Sequence, residues 1–164
     1  MKKYMRGDVL HVEGVRDFHL DHIFDCGQAF RWEKQDDGSY TGIAGGRIAN
    51  IQFEPYEGRT AEGRLIISNA HEEDFPFWEK YLDMGRDYEK IKTDLGKDPV
   101  MATAITYGEG IRLLQQEPWE TLISFIISQN NHIPRIKKCI ESLSENFGES
   151  AGIYNGREFY SLPS

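Results

Sequence analysis

The segment Ser128-Gln129-Asn130-Asn131-His132-Ile133-Pro134-Arg135-Ile136-Lys137-Lys138 sets two adjacent side-chain amides beside three cations. An asparagine amide both donates and accepts, so the pair can hydrogen-bond base edges. Pro134 fits the first position of a helix, where its missing N–H costs nothing, and Arg135, Lys137 and Lys138 then fall in the first turn. Cations there oppose the helix dipole at about 0.3–1 kcal/mol each where exposed. Three of them beside free N–H groups make an anion site. The plainer alternative is an Asn pair closing one helix and a solvated basic turn opening the next, and composition by itself favours it.

Two helices must hold this segment. Glu117-Pro118 starts the first, which carries Trp119, Leu122, Ile123, Phe125, Ile126 and Ile127 and is apolar on nearly every side, so it is expected to be buried. The second places Ile136, Cys139, Ile140, Leu143 and Phe147 at helical spacing and stops at Gly148.

Upstream, residues 29–70 read as antiparallel β-structure. Ala29–Lys34 and Ser39–Ala44 flank an Asp36-Asp37-Gly38 turn, Gly45-Gly46 leads into Arg47–Phe53, and Gly63–Ala70 supplies a further strand. Residues 74–84 fit a helix with an Asp cap, and Asp87–Leu95 and Pro99–Tyr107 fit two more, stopped by Gly96 and Gly108. The fold class is therefore α+β: an antiparallel sheet with packed helices over 1–116, then the start of a helical domain over 117–164. Two apolar helices do not close a bundle, so the reading expects a fragment of a longer helical domain.

Composition narrows the classes. Of 164 residues 39% are hydrophobic and 12% aromatic, enough for a real core. The net charge of −8 argues against a nonspecific nucleic-acid coat. The excess acid sits elsewhere, because residues 129–164 hold four basic and four acidic groups. A local DNA-facing patch therefore survives the acidic balance. Cys26 and Cys139 are too few for a disulfide scaffold, and their apolar neighbours suggest buried, reduced thiols. No signal peptide or membrane span is apparent, which makes a cytoplasmic location the expectation. His19 and His22 with Asp17 and Asp21 lack a completing ligand and read as solvated polar residues, so no metal or cofactor is expected.

At this point a family emerges. Glu117 to Gly148 closely resembles the 8-oxoguanine DNA glycosylases of the helix-hairpin-helix superfamily; Asp25-Cys26-Gly27-Gln28-Ala29-Phe30-Arg31-Trp32 matches their N-terminal signature, and Tyr81-Leu82-Asp83 with Asp87-Tyr88 looks like their middle segment. The three matches occur in family order and span residues 15–164. The resemblance implies base excision repair of oxidised guanine: a glycosylase with AP lyase activity that flips the damaged nucleotide from duplex DNA and reads it opposite cytosine. It also implies roles. Asn130 would fill the vacated space, Arg135 would reach the orphan cytosine, and Asn131 would orient the turn, with His132 standing where the family has a third Asn. The backbone carbonyl of Gly27 would accept the N7 hydrogen that 8-oxoguanine has and guanine lacks, a mismatch of about 1–3 kcal/mol for the wrong base. Phe30 and Trp32 read as one buried strand face.

The attacking lysine and its aspartate follow a Gly-rich hairpin in that family, and residues 128–164 contain no such hairpin. No catalytic residue is therefore expected here, and the chain alone is expected to be inactive. A non-catalytic DNA-binding or protein-interaction module remains the alternative, with a small-ligand-binding protein more remote. An unpaired face on helix 118–129 is expected to drive self-association, or to draw the tail of residues 150–164 over the Ile126 side.

Overall fold

The computed structural model describes all residues, 1–164. Its centre is a six-stranded antiparallel sheet in the order β1-β2-β6-β5-β4-β3, built from β1 (Lys2–Arg6), β2 (Val9–Arg16), β3 (Trp32–Lys34), β4 (Tyr40–Ala44), β5 (Arg47–Pro55) and β6 (Glu62–Ser68). The β4–β5 hairpin pairs Ala44 with Arg47, and its two-residue turn puts both Gly45 and Gly46 at positive φ. That turn matches the strand twist and demands residues without a Cβ penalty. The β3–β4 turn is held by Asp37, whose carboxylate accepts from the backbone N–H and hydroxyl of Ser39.

One sheet face and the helices α1 (Leu20–Phe24) and α2 (Phe75–Tyr81) enclose the core. Leu10, Val12 and Val15 of β2, Ile51 of β5 and Leu65 and Ile67 of β6 meet Phe18, Ile23, Phe24, Trp32, Trp78 and Leu82 there, all essentially inaccessible. The Trp32 indole N–H donates to the Tyr81 hydroxyl at 2.8 Å, so the buried polar atom is satisfied. Helices α3 (Tyr88–Leu95) and α4 (Pro99–Tyr107) carry caps at Asp87 and Asp98, whose carboxylates accept from Lys90 and from Val100 and Met101. No helix is long and apolar enough to cross a membrane.

The sequence reading misses four strands. β1 is an edge strand rich in Lys and Arg, and the alternation of β2 changes phase at a bulge between Val12 and Val15, where Gly14 has φ +72°. The other two, β7 (Ser150–Tyr154) and β8 (Arg157–Tyr160), form a hairpin around Asn155-Gly156, both at positive φ. This hairpin packs Phe159 against Ile43 and Ile48.

Four further expectations are corrected. Helix α5 (Pro118–Ser128) is not buried: Ser124 alone is, while Trp119, Leu122, Phe125 and Ile126 are 45–64% exposed. Apolar periodicity states that a helix wants cover on a face; it does not supply that cover. The tail leaves Ile126 57% exposed, and its hydrogen bond to α5 is at Trp119, whose indole donates to the Pro163 carbonyl at 2.8 Å. Cys26 is exposed, because the chain turns outward after the last buried residue of α1, Phe24. Phe30 is only half-buried, since β3 begins at Trp32 and strand alternation does not yet apply.

Candidate nucleic-acid interface

The two segments singled out by sequence occupy two connections, one between α1 and β3 and one at the end of α5. Helix α5 starts cleanly: the Glu117 carboxylate accepts from the N–H of Glu120 at 2.8 Å, and Pro118 takes the first turn. It ends at Gln129. The chain then turns through Asn130, which sits at φ +51° in the left-handed region that Asn tolerates better than most residues. Asn131 locks the turn from inside. Its amide donates to Ile127 O at 3.0 Å and its side-chain oxygen accepts from His132 N at 3.0 Å. Helix α6 (Ile133–Phe147) follows, with His132 as N-cap residue but without a side-chain cap.

The turn therefore separates its residues by task. Asn131 is consumed by the backbone, whereas the exposed Asn130 amide and Arg135 guanidinium have no partner in the protein. His132 is exposed as well. Lys137 departs from the expected trio of cations: its ammonium donates to Trp32 O at 2.9 Å, which turns it toward the sheet. Arg135 and Lys138 remain as free charge at the start of α6, which has no acidic residue in its first turn.

Gly27 lies in the loop between α1 and β3, exposed, at φ +82°, with nothing within 4 Å of where a Cβ would stand. Neither the Gly27 carbonyl nor the Gln28 N–H has a protein partner. The loop is nonetheless held firmly. The Gln28 amide donates to Ile23 O at 2.9 Å and Arg112 O at 2.8 Å, and its oxygen accepts from Leu114 N at 3.0 Å. Gln116 in turn donates to the Gln28 carbonyl. Residues 112–116 lead straight into α5, so these bonds join the glycine loop to the base of the helix that carries the asparagine turn.

Sequence reasoning missed the residues that make this junction. Arg112 is 4% exposed and donates to the carbonyls of Asp17, Asp83 and Arg16, with its guanidinium over the Tyr88 ring. Burial lowers its pKa, and nearby Tyr88 and Asp17 oppose that. Arg31 donates to Tyr160 O and faces Glu120 at 3.9 Å. Burial pushes the Glu120 carboxyl up while Arg31 holds it down. The signal for both arginines was weak, because their partners are mostly backbone carbonyls far away in the chain.

The histidines near α1 are also unlike the solvated polar residues expected. His19 and His22 stack with centroids 4.1 Å apart, and the Nδ1 of each is buried without a partner. His19 N donates to Gly110 O at 3.0 Å, which draws the ring under the chain. Burial, then His22, depresses the His19 pKa. Asp21 bonds Lys34 and Tyr40, and Asp17 bonds Lys92.

A separate cavity of about 300 Å³ opens between β3, β4, α6 and β8, floored by Trp32, Ile43, Ile140 and Phe159. Arg157 spans it by pairing with Glu33 and Glu141.

The chain and its fold are similar to several known proteins. "N-glycosylase/DNA lyase OGG1" of Arabidopsis thaliana is 28% identical over 146 residues, 88% of this chain and 40% of that protein. The structure of MBOgg1 in complex with a low affinity DNA ligand superposes with a TM-score of 0.92 at 46% identity, covering 99% of this chain and 54% of the other. The Clostridium acetobutylicum 8-oxoguanine glycosylase/lyase, in complex with double-stranded DNA containing cytosine opposite 8-oxoguanine, gives 0.92 at 42% identity over 100% of this chain and 54% of the other. The chain thus spans about half the length of these relatives or less. The model of the 8-oxoguanine DNA glycosylase N-terminal domain matches residues 12–122, more than half of the chain, and the chain belongs to that family.

Proposed function

We propose that this chain is the N-terminal part of an 8-oxoguanine DNA glycosylase/AP lyase, and that it binds duplex DNA carrying oxidised guanine opposite cytosine. The observation that supports it best is the asparagine turn, where Asn131 is spent on the backbone while Asn130 and Arg135 project unpartnered. In this reading Asn130 enters the space left by the flipped nucleotide, a step whose unstacking costs a few kcal/mol. Arg135 offers a guanidinium fork to the acceptors of the orphan cytosine. His132 lies beside them on the DNA side, and Gly27 presents its unpaired carbonyl to the N7 hydrogen of the damaged base. The sheet domain of residues 1–116 then supplies base recognition, and α5, α6 and the turn between them supply the helical wedge.

The same reading assigns no catalytic residue to this chain. A nucleophilic lysine is activated by desolvation in an apolar pocket, and neither lysine of the α6 first turn has that setting. Lys137 is tied to Trp32 O and Lys138 is exposed. Residues 1–164 alone should bind an 8-oxoguanine duplex and give no covalent adduct on borohydride trapping. A trapped adduct would place the nucleophile among these lysines and overturn the assignment. The uncovered face of α5 is proposed to make the isolated chain self-associate, which sedimentation across a concentration series reads directly.

A further inference from the structure

The carbonyl of Gly27 and the N–H of Gln28 belong to one peptide plane and point in opposite directions. Neither has a partner in the protein. A half-turn of that plane would set a donor where an acceptor had been. At φ +82°, with open space around it, Gly27 offers little steric resistance to such a turn. The orientation of one peptide therefore decides which purine edge is welcome: a carbonyl suits an N7 that bears hydrogen, and an N–H suits a bare N7.

What opposes the turn is on the C-terminal side. The Gln28 side chain makes three hydrogen bonds, to Ile23 O, Arg112 O and Leu114 N, which use both its amide hydrogens and its oxygen. Its own carbonyl accepts from Gln116. The acceptor at Arg112 is itself fixed, because the Arg112 guanidinium bonds three carbonyls of other segments. Gln28 is thus held at both side chain and backbone, and the peptide that precedes it has no slack on that side. Glutamate in its place would set a carboxylate against the carbonyls of Ile23 and Arg112, and asparagine would be one methylene short of reaching both anchor segments.

We infer that Gln28 is a specificity-determining positioning residue that fixes the Gly27–Gln28 peptide in its acceptor orientation, with Gln116 as its support. This rests on the reading of Gly27 as the base-recognition residue given above. Gln28 touches no base; it acts through the peptide it holds.

The test uses the full-length gene product and three duplexes: one with 8-oxoguanine opposite cytosine, one with guanine there, and one with a tetrahydrofuran abasic analogue, which has no base to read. Gln28→Met keeps the shape and removes all three side-chain bonds. Its preference for 8-oxoguanine over guanine should fall about tenfold, the loss expected of one misdirected buried hydrogen bond. Its affinity for the abasic duplex should change less than about twofold, since no base contact is involved. Gln116→Leu removes one support and should lower the preference by a smaller factor. An undiminished preference in Gln28→Met, with the wild type discriminating normally, overturns the inference and leaves the reading of Gly27 standing. Equal losses on the 8-oxoguanine and abasic duplexes mean a structural role alone and also overturn it. A wild-type protein without preference removes the reading and the inference together.

Discussion

The six-stranded sheet and the α5–α6 pair are similarly rich in isoleucine, leucine and aromatics, yet they use them differently. Ile51, Leu65 and Ile67 are sealed beneath α1 and α2, whereas Phe125 and Ile126 of α5 face outward. In the sheet region Arg112 and Gln28 are tied to backbone partners of other segments, while the turn between α5 and α6 leaves Asn130 and Arg135 free. One region spends its interactions on itself; the other holds them ready. Substitutions should therefore split by region: stability is lost on the sheet side, and binding is lost at the turn.

The largest effect should come from Trp32→Ala, which empties a site packed by Phe24, Trp78 and Tyr81. About 3–5 kcal/mol of unfolding free energy should disappear. Phe125→Ala, equally drastic in chemistry, should change it by no more than about 0.5 kcal/mol when the chain is titrated as a monomer, at a concentration below its self-association. Urea titration of the two variants side by side would break the comparison if they came out alike. Arg112→Met comes next. It strands three carbonyls, of Asp17, Asp83 and Arg16, and should cost about 2–3 kcal/mol by the same titration.

At the turn the signs reverse. Asn130→Gly suits the left-handed backbone and should leave stability within about 0.5 kcal/mol, while Arg135→Ala removes only an exposed charge. Each should nonetheless weaken binding to the 8-oxoguanine duplex about tenfold, as loss of a specific polar contact does, by fluorescence anisotropy. Unchanged binding in both would strip the turn of its assigned role.

The smallest effect is on pH. Burial, then His22, lowers the His19 pKa below 6.5, so the unfolded chain takes up the proton first. His19 thus contributes stability that is complete above 6.5 and is lost as pH falls from there through the lower folded value. His11, also lowered by burial, acts in the same direction. The melting temperature should drop between pH 7 and pH 5, and His19→Phe should flatten that drop; an equal drop in the variant would place the sensitivity elsewhere.

Much of this division was legible in the sequence, and the gaps have physical causes. Pro118 and Pro134 announce their helices because proline fits a first turn, and the Asn130-Asn131 pair announces the break between them. Gly45-Gly46 announces its hairpin. Asn155-Gly156 carried an equally strong signal, hidden because a helical continuation was expected there. What local pattern does not hold is reach: Gln28 meets Leu114 across 86 positions, and Arg112 meets Arg16 across 96. A backbone carbonyl at that distance leaves no mark on residue type. Nor does composition reveal whether an apolar helix face is covered, so the pattern of α5 shows an unpaired face but not whether it is buried.

The strand order carries a consequence for the time course of folding. β3, β4, β5 and β6 pair with their chain neighbours, and so do β1 and β2, but the two groups join only along β2 and β6, from Val9 opposite Ser68 to Arg16 opposite Glu62. That junction closes a loop across α1, β3, β4 and β5, and long-range closures of this kind slow folding. During synthesis β2 emerges before β6, and its edge stays unpaired until β6 has left the ribosome. The β1–β2 hairpin is made before β3, β4 and β5 and takes its place in the sheet after them.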